Sequence, residues 1–339
     1  MTSRRTKVLF AIIAVAGLLL VGCAKKSKTN TPITGGLPEV TTTTTAAVNG
    51  ASIPITMQSF SDGALGAIVQ VSVGGGAAVP MILDTGSSGV MVLPSAIGPN
   101  ATQTGQSTSS TFAGGGVTAQ IVNATVTVGT ASTTGPIQVE SITTGASNLL
   151  PGGLQGVFGI GPSEYGAAPT APFTPLLQMG APFDGGFTVS LPASASAKGA
   201  LVIGPVSAPS TANSVPLTRN SPATYPNGAP SYAKDVNLCW TLVNVSGCGP
   251  TDLDTGMSVT TFAPTGSQAS GTVNSGGAVT MALPNGGATL WSFTTGVTPS
   301  HNEVVFMAIP PPTLFNSGVA FYLGKNVGFD MVKGQVSIW

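Results

Sequence analysis

Apolar residues in this chain come in short runs that alternate with small polar residues and stop at glycine. The run Ala67-Ile68-Val69-Gln70-Val71-Ser72-Val73 ends at Gly74-Gly75-Gly76, and a second run, 79–83, delivers Asp84 at its end. Residues 120–128 alternate as a third. Phe187-Thr188-Val189-Ser190-Leu191 and Ala200-Leu201-Val202-Ile203 continue the theme. Short period-two alternation bounded by glycine marks strands. One segment, Thr174-Pro175-Leu176-Leu177-Gln178-Met179, predicts a short helix, with Pro175 early and Gly180 as its stop. The whole pattern predicts an all-β protein of many short strands.

Composition adds bounds. A chain of 339 residues holds one large or two modest domains. It has 46 glycines, 6% charged residues and no net charge, so a nucleic-acid surface is not expected. The charges are unevenly placed. No Lys or Arg occurs from Thr29 to Ala197, where Glu39, Asp62, Asp84, Glu140, Glu164 and Asp184 stand without basic partners. Few ionised groups leave few ion pairs to lose on protonation, so tolerance of acid is expected. His301 is the sole histidine and no Cys/His cluster exists, so neither a metal site nor a histidine-based hydrolase is expected, and no cofactor.

The N-terminus reads as a targeting segment. Arg4, Arg5 and Lys7 precede an apolar stretch, 8–21, too short to span a bilayer comfortably. With Leu20-Val21-Gly22-Cys23 it resembles a bacterial lipoprotein signal. Residues 1–22 are then the signal peptide and Cys23 the acylated, palmitate-bearing first residue. Residues 23–49, rich in Lys, Thr and Pro, form a flexible tether. The expected location is the extracytoplasmic face of a bacterial envelope membrane, and the expected state a monomer. The remaining cysteines, Cys239 and Cys248, most simply form one disulfide.

The chemistry is carried by Asp-Thr-Gly, which occurs twice. Each copy is followed by one residue and Ser: Asp84-Thr85-Gly86-Ser87-Ser88 and Asp254-Thr255-Gly256-Met257-Ser258. One copy is weak, because Asp and Gly turns are common in β proteins. Two copies, each with an apolar-apolar-Gly segment downstream (Val157-Phe158-Gly159 and Tyr322-Leu323-Gly324), point to a repeated lobe. Two carboxylates brought face to face cannot both ionise easily, and a pair sharing one proton can activate water. Gly86 and Gly256 are expected to relieve crowding at sharp turns.

These residues resemble the pepsin-like aspartic proteases over most of 60–339. The resemblance implies two related β lobes, 50–190 and 191–339, with a cleft between them. It implies Asp84 and Asp254 as the catalytic pair, supported by Thr85, Gly86, Ser87, Thr255, Gly256 and Ser258, with the threonines interlocking across the junction. Residues 110–116, including Phe112 and Gly114, stand where the family has its flap hairpin, opposite Met91. The implied activity is an endopeptidase acting at acidic pH on a peptide or protein substrate. An apolar cleft of Met91, Phe112, Val157 and Ile160 implies cleavage between hydrophobic residues.

Several positions depart from the family pattern. Phe112 replaces the flap Tyr and Met91 the Trp that bonds it, so apolar packing alone is expected to hold the flap. Met257 replaces a hydroxyl residue beside the second Asp. With one donor fewer and Asp252 nearby, Asp254 is expected to be the harder of the pair to ionise. Segment 323–330 looks shortened and carries Lys325 where an acid is common. The alternative is a catalytically silent pepsin-like fold serving as a cell-surface binding lipoprotein. Both aspartates and both threonines argue against it.

Overall fold

The computed structural model describes residues 50–60, 63–112, 115–162, 174–194, 197–224, 230–243, 245–263, 270–296, 302–307 and 314–339. The expected signal peptide, Cys23, the expected tether, Gly114 and His301 lie outside the described residues. The remainder gathers into one compact unit.

Strands dominate, as the alternation predicts. The first half contains β1 (Ala51–Ser59), β2 (Leu65–Val73), β3 (Val79–Asp84), β4 (Ser88–Val92), β5 (Thr102–Phe112) and β6 (Gly115–Ala124). Then come β7 (Val126–Val128), β8 (Ala131–Ser132), β9 (Ile137–Thr144), β10 (Gly156–Ile160), β11 (Gly186–Leu191) and β12 (Lys198–Ile203). The second half adds β13 (Asn213–Pro216), β14 (Arg219–Thr224), β15 (Pro230–Tyr232), β16 (Asp235–Leu242), β17 (Val245–Asp252), β18 (Thr260–Phe262) and β19 (Gly271–Thr272). It closes with β20 (Ala278–Ala282), β21 (Thr289–Thr294), β22 (Val304–Phe306), β23 (Phe315–Asn316), β24 (Lys325–Asp330) and β25 (Gln335–Ile338). The expected helix at 174–179 is only a 3-10 turn, Leu176–Gln178, because Pro175 and Gly180 leave too few residues between them. The expected run 120–128 breaks at Thr125 into β6 and β7.

One sheet runs in the order β13-β25-β24-β11-β12-β1-β2-β3-β10-β4-β9-β6-β5, and an eight-stranded sheet in the order β19-β22-β18-β23-β17-β16-β20-β21. Strand β1 alternates strictly from Ala51 to Met57, burying every second side chain against the core. The last strands, β24 and β25, pair with β11 and β13, so the chain's end is built into the sheet that joins the halves. Lys325, at the start of β24, lies over the rings of Phe321 (5.2 Å) and Trp291 (5.9 Å), and burial lowers its pKa to about 8.

Both halves contain the same three-strand device. In the first, β10 lies between β3, to which it is parallel, and β4, to which it is antiparallel. In the second, β23 lies likewise between β17 and β18. Each Asp-Thr-Gly turn crosses from the first strand of its device to the second. The repeat is therefore present, but its second downstream partner is β23 rather than Tyr322-Leu323-Gly324. Those residues instead end a buried 3-10 turn, Val319–Tyr322.

Cys239 and Cys248 sit opposite each other on the β16–β17 hairpin and form the expected disulfide. Beside it Trp240, buried, stacks on Phe315 at 5.8 Å and donates from Nε1 to Thr251 Oγ1 at 3.0 Å. This fixes β17, and with it the approach to the second Asp.

Candidate active site

Asp84 ends β3, and Asp254 lies two residues beyond β17. The turns that follow them meet with near two-fold symmetry. Thr85 donates its N–H to Thr255 Oγ1 (3.1 Å), and Thr255 returns its N–H to Thr85 Oγ1 (3.0 Å). Thr85 Oγ1–H donates to the Leu253 carbonyl (2.6 Å), and Thr255 Oγ1–H to the Leu83 carbonyl (2.7 Å). Both threonines are buried, so each bond is shielded from water and strengthened by the surroundings. The expected interlock is present.

The two glycines have a different job from the one expected. Neither Gly86 nor Gly256 adopts a positive φ. A Cβ on Gly86 would stand 2.4 Å from Asp254 Cγ, and one on Gly256 2.5 Å from Asp84 Cγ. Each glycine is required by the partner turn's carboxylate, and this close approach brings the pair together. Asp254 thus lies close enough to act directly on the Asp84 carboxyl.

Donors surround both carboxylates. Gly86 N–H (2.8 Å) and Ser87 N–H (3.1 Å) reach Asp84 Oδ1, and Ser87 Oγ–H donates to Oδ2. Gly256 N–H (2.7 Å) and Met257 N–H (3.3 Å) reach Asp254 Oδ1. The outer oxygen expected to lack a donor does not: Asn316 Nδ2 donates to Asp254 Oδ2 at 2.7 Å. Ser258 is half-buried beside this loop and bonds neither carboxylate. Burial first and the charge of Asp254 second push the Asp84 carboxyl up to about 7, against the donors Ser87 and Gly86. The expectation that Asp254 would be the less supported carboxylate is therefore corrected. Its basis, a missing donor, is removed by Asn316.

Asp252 does lie close enough to Asp254 to feel its charge, but it carries a counter-ion. It is buried and ion-paired with Lys234, whose Nζ also donates to the Gly86 carbonyl at 3.2 Å. Burial alone would lower the Lys234 pKa, but Asp252, with Asp254 and Asp235 behind it, drives it well up. The ammonium thus stays charged beneath the pair and ties the second half to the first Asp-Thr-Gly turn. Tyr322, buried, donates to the Leu253 carbonyl at 2.8 Å and touches Thr85 Oγ1 at 3.1 Å, supporting the interlock from one side.

Strands β5 and β6 form the expected flap hairpin, pairing Phe112 with Gly115 at its described end. Phe112 packs on a cluster that includes Met91, Ile82, Val117 and Val157, so the flap's contact is apolar, as the Phe112 and Met91 replacements suggest. Below the hairpin lies a cavity of about 620 Å³, reached by Ser87, Met91, Phe112, Glu140 and Val157. Ile160, expected in the cleft, belongs to the main core instead.

Sequence reasoning missed Asn316, Lys234 and the role of Tyr322. The one available signal was Met257 itself, since a carboxylate lacking its hydroxyl neighbour has to find another donor.

Fold and paired turns define a bilobal, nearly all-β protein of the pepsin-like class. A search of solved structures finds an aspartic proteinase from Irpex lacteus, with a TM-score of 0.60 and 17% identity, covering 85% of this chain and 96% of that one. The chain belongs to the family described as the PE-PGRS C-terminal aspartyl peptidase-like domain, whose model matches residues 51–335. A comparison with curated proteins finds no match.

Proposed function

We propose that the protein is an aspartic endopeptidase in which Asp84 and Asp254 activate a water for attack on a peptide carbonyl. The observation that carries this is the reciprocal Thr85–Thr255 exchange, with each glycine fitted against the opposite carboxylate. A fold kept only for binding has no need of that geometry. The pair holds one proton through the mildly acidic range. The ionised carboxylate takes a proton from the water, and the protonated one donates to the scissile carbonyl, with no covalent intermediate. The two titrations belong to the pair.

The test is a peptide-library assay of the full chain, purified in detergent, from about pH 3 to 7. Pepstatin and the Asp84→Asn and Asp254→Asn variants are included. Cleavage is expected to fall by at least about a hundredfold in either variant. A folded protein that cuts nothing would instead favour the binding-lipoprotein reading.

We also propose that acylated Cys23 holds the protein at the extracytoplasmic face of an envelope membrane, on the order of basic, apolar and small residues before it. Cys23→Ser should move the protein from the membrane to the soluble fraction. An unchanged distribution would remove this proposal.

A further inference from the structure

The first-half sheet presents a single row of side chains toward the flap. Val157 on β10 pairs with Met91 on β4, Met91 with Glu140 on β9, and Glu140 with Ile121 on β6. Directly paired residues share a face, so one carboxyl stands in an otherwise apolar row. All four side chains line the cavity under the flap hairpin. Ser87 lines it too, and its hydroxyl donates to Asp84, so the cavity opens beside the carboxylate pair.

Glu140 is only 8% exposed. Among the described residues it has neither a hydrogen-bond nor an ion-pair partner. Sequence explains the lack of a cation, since no Lys, Arg or His occurs between Thr29 and Ala197. The elements packed against its strand, β4, β6 and the 3-10 turn Pro94–Ala96, and those that also line the cavity, β5 and β10, contribute no charged group. Among the described residues of this half, Asp84, reached through Ser87, is the other charged group that adjoins the cavity. An acid this buried and unpartnered is costly unless something in the cavity completes it.

We infer that this cavity is a specificity pocket for a long cationic side chain of the substrate, with Glu140 as its counter-charge. The reading rests on the peptidase function proposed above and revises its expectation of purely hydrophobic cleavage sites. A Lys or Arg stem suits Met91, Val157 and Phe112, while its head meets the carboxyl, the way amphipathic cations bury their stems. Burial lifts the Glu140 pKa to about 7. In acid the empty pocket is therefore neutral and accepts apolar side chains as well. As pH rises toward 7 the carboxyl ionises, sooner with a cation beside it, and selectivity for the cation grows.

Paired peptides carrying Lys or norleucine at each position around the cleaved bond test this. The ratio of kcat/KM values cancels the titration of the carboxylate pair, which acts on both peptides alike. The Lys/norleucine ratio should rise roughly tenfold between about pH 4.5 and about pH 6.5. It should be flat in Glu140→Gln. A flat ratio in the unmodified protein overturns the inference and leaves the peptidase reading intact. If nothing is cleaved, calorimetric binding of the same peptides decides. Lys-selective binding that Glu140→Gln abolishes upholds the pocket while the peptidase reading falls. Binding without such selectivity, or no binding, overturns both.

Discussion

At Asp254 the outer carboxylate oxygen is served by an amide rather than a hydroxyl. Asn316 Oδ1 accepts from Gly318 N–H at 2.9 Å, which orients the amide so that Nδ2 faces Asp254. The residue is 9% exposed, so its bond to a carboxylate is a partly dry, charge-assisted one, the stronger kind. Asn316→Leu keeps the volume and removes the donor. The charged form of the pair then loses stabilisation, and the acidic limb of the pH–rate profile should move up by about one unit. Adding Met257→Thr restores a hydroxyl near the same oxygen and should recover part of the shift. A limb that stays in place in the single variant would mean that Asn316 only packs. The same residue explains why reading Met257 alone misled. The substitution was visible in sequence, but its compensation lies on another strand, 62 residues beyond Asp254.

The elements differ in how plainly the sequence announces them. Strands β2, β3, β11 and β12 were legible because their apolar residues alternate or run unbroken up to glycine. The flap hairpin was legible from family resemblance, and its apolar anchoring from Phe112 and Met91 together. Strand β23 was not: it is two residues long, and one is the polar Asn316. The more apolar Tyr322-Leu323-Gly324 drew the repeat to the wrong place, whereas Tyr322 braces the interlock from a 3-10 turn below it. Lys234 carries no local pattern either. Its partners are Asp252, 18 residues on, and the Gly86 carbonyl, 148 residues back, so only the fold reveals that it straps the β16–β17 hairpin to the first Asp-Thr-Gly turn. Glu140 was visible as an acid without a basic neighbour, but that it faces the flap cavity depends on the pairing of β9 with β4 and β6.

The molecule as a whole is built with little that acid can break. It has 11 basic and 11 acidic side chains. Among the described residues the ion pairs are Lys234–Asp252 and Lys333–Asp330. The second involves a lysine 63% exposed and contributes little. Burial drives the Asp252 carboxyl up against the pull of Lys234, so this group takes its proton in the folded protein and acidification costs no stability through it. The carboxyls that shift most plainly shift toward holding protons. Glu140 is raised from 4.5 to about 7, and Asp84 from 3.8 to about 7. A carboxyl whose pKa is higher folded than unfolded binds more protons in the native state between those two values. Its contribution is complete below the unfolded pKa and is lost as pH rises through the folded one. For Glu140 alone the difference is roughly 3 kcal/mol between acid and neutral solution. The protein should therefore unfold at a higher temperature near pH 5 than near pH 7.5, by about 5–10 °C if a kilocalorie moves the midpoint by a few degrees. Glu140→Gln should raise the neutral midpoint toward the acidic one and flatten the profile between them. Thermal melts followed by circular dichroism at the two pH values decide it. A midpoint that falls on acidification would mean that bonds to ionised carboxylates outweigh the burial of Glu140 and Asp84.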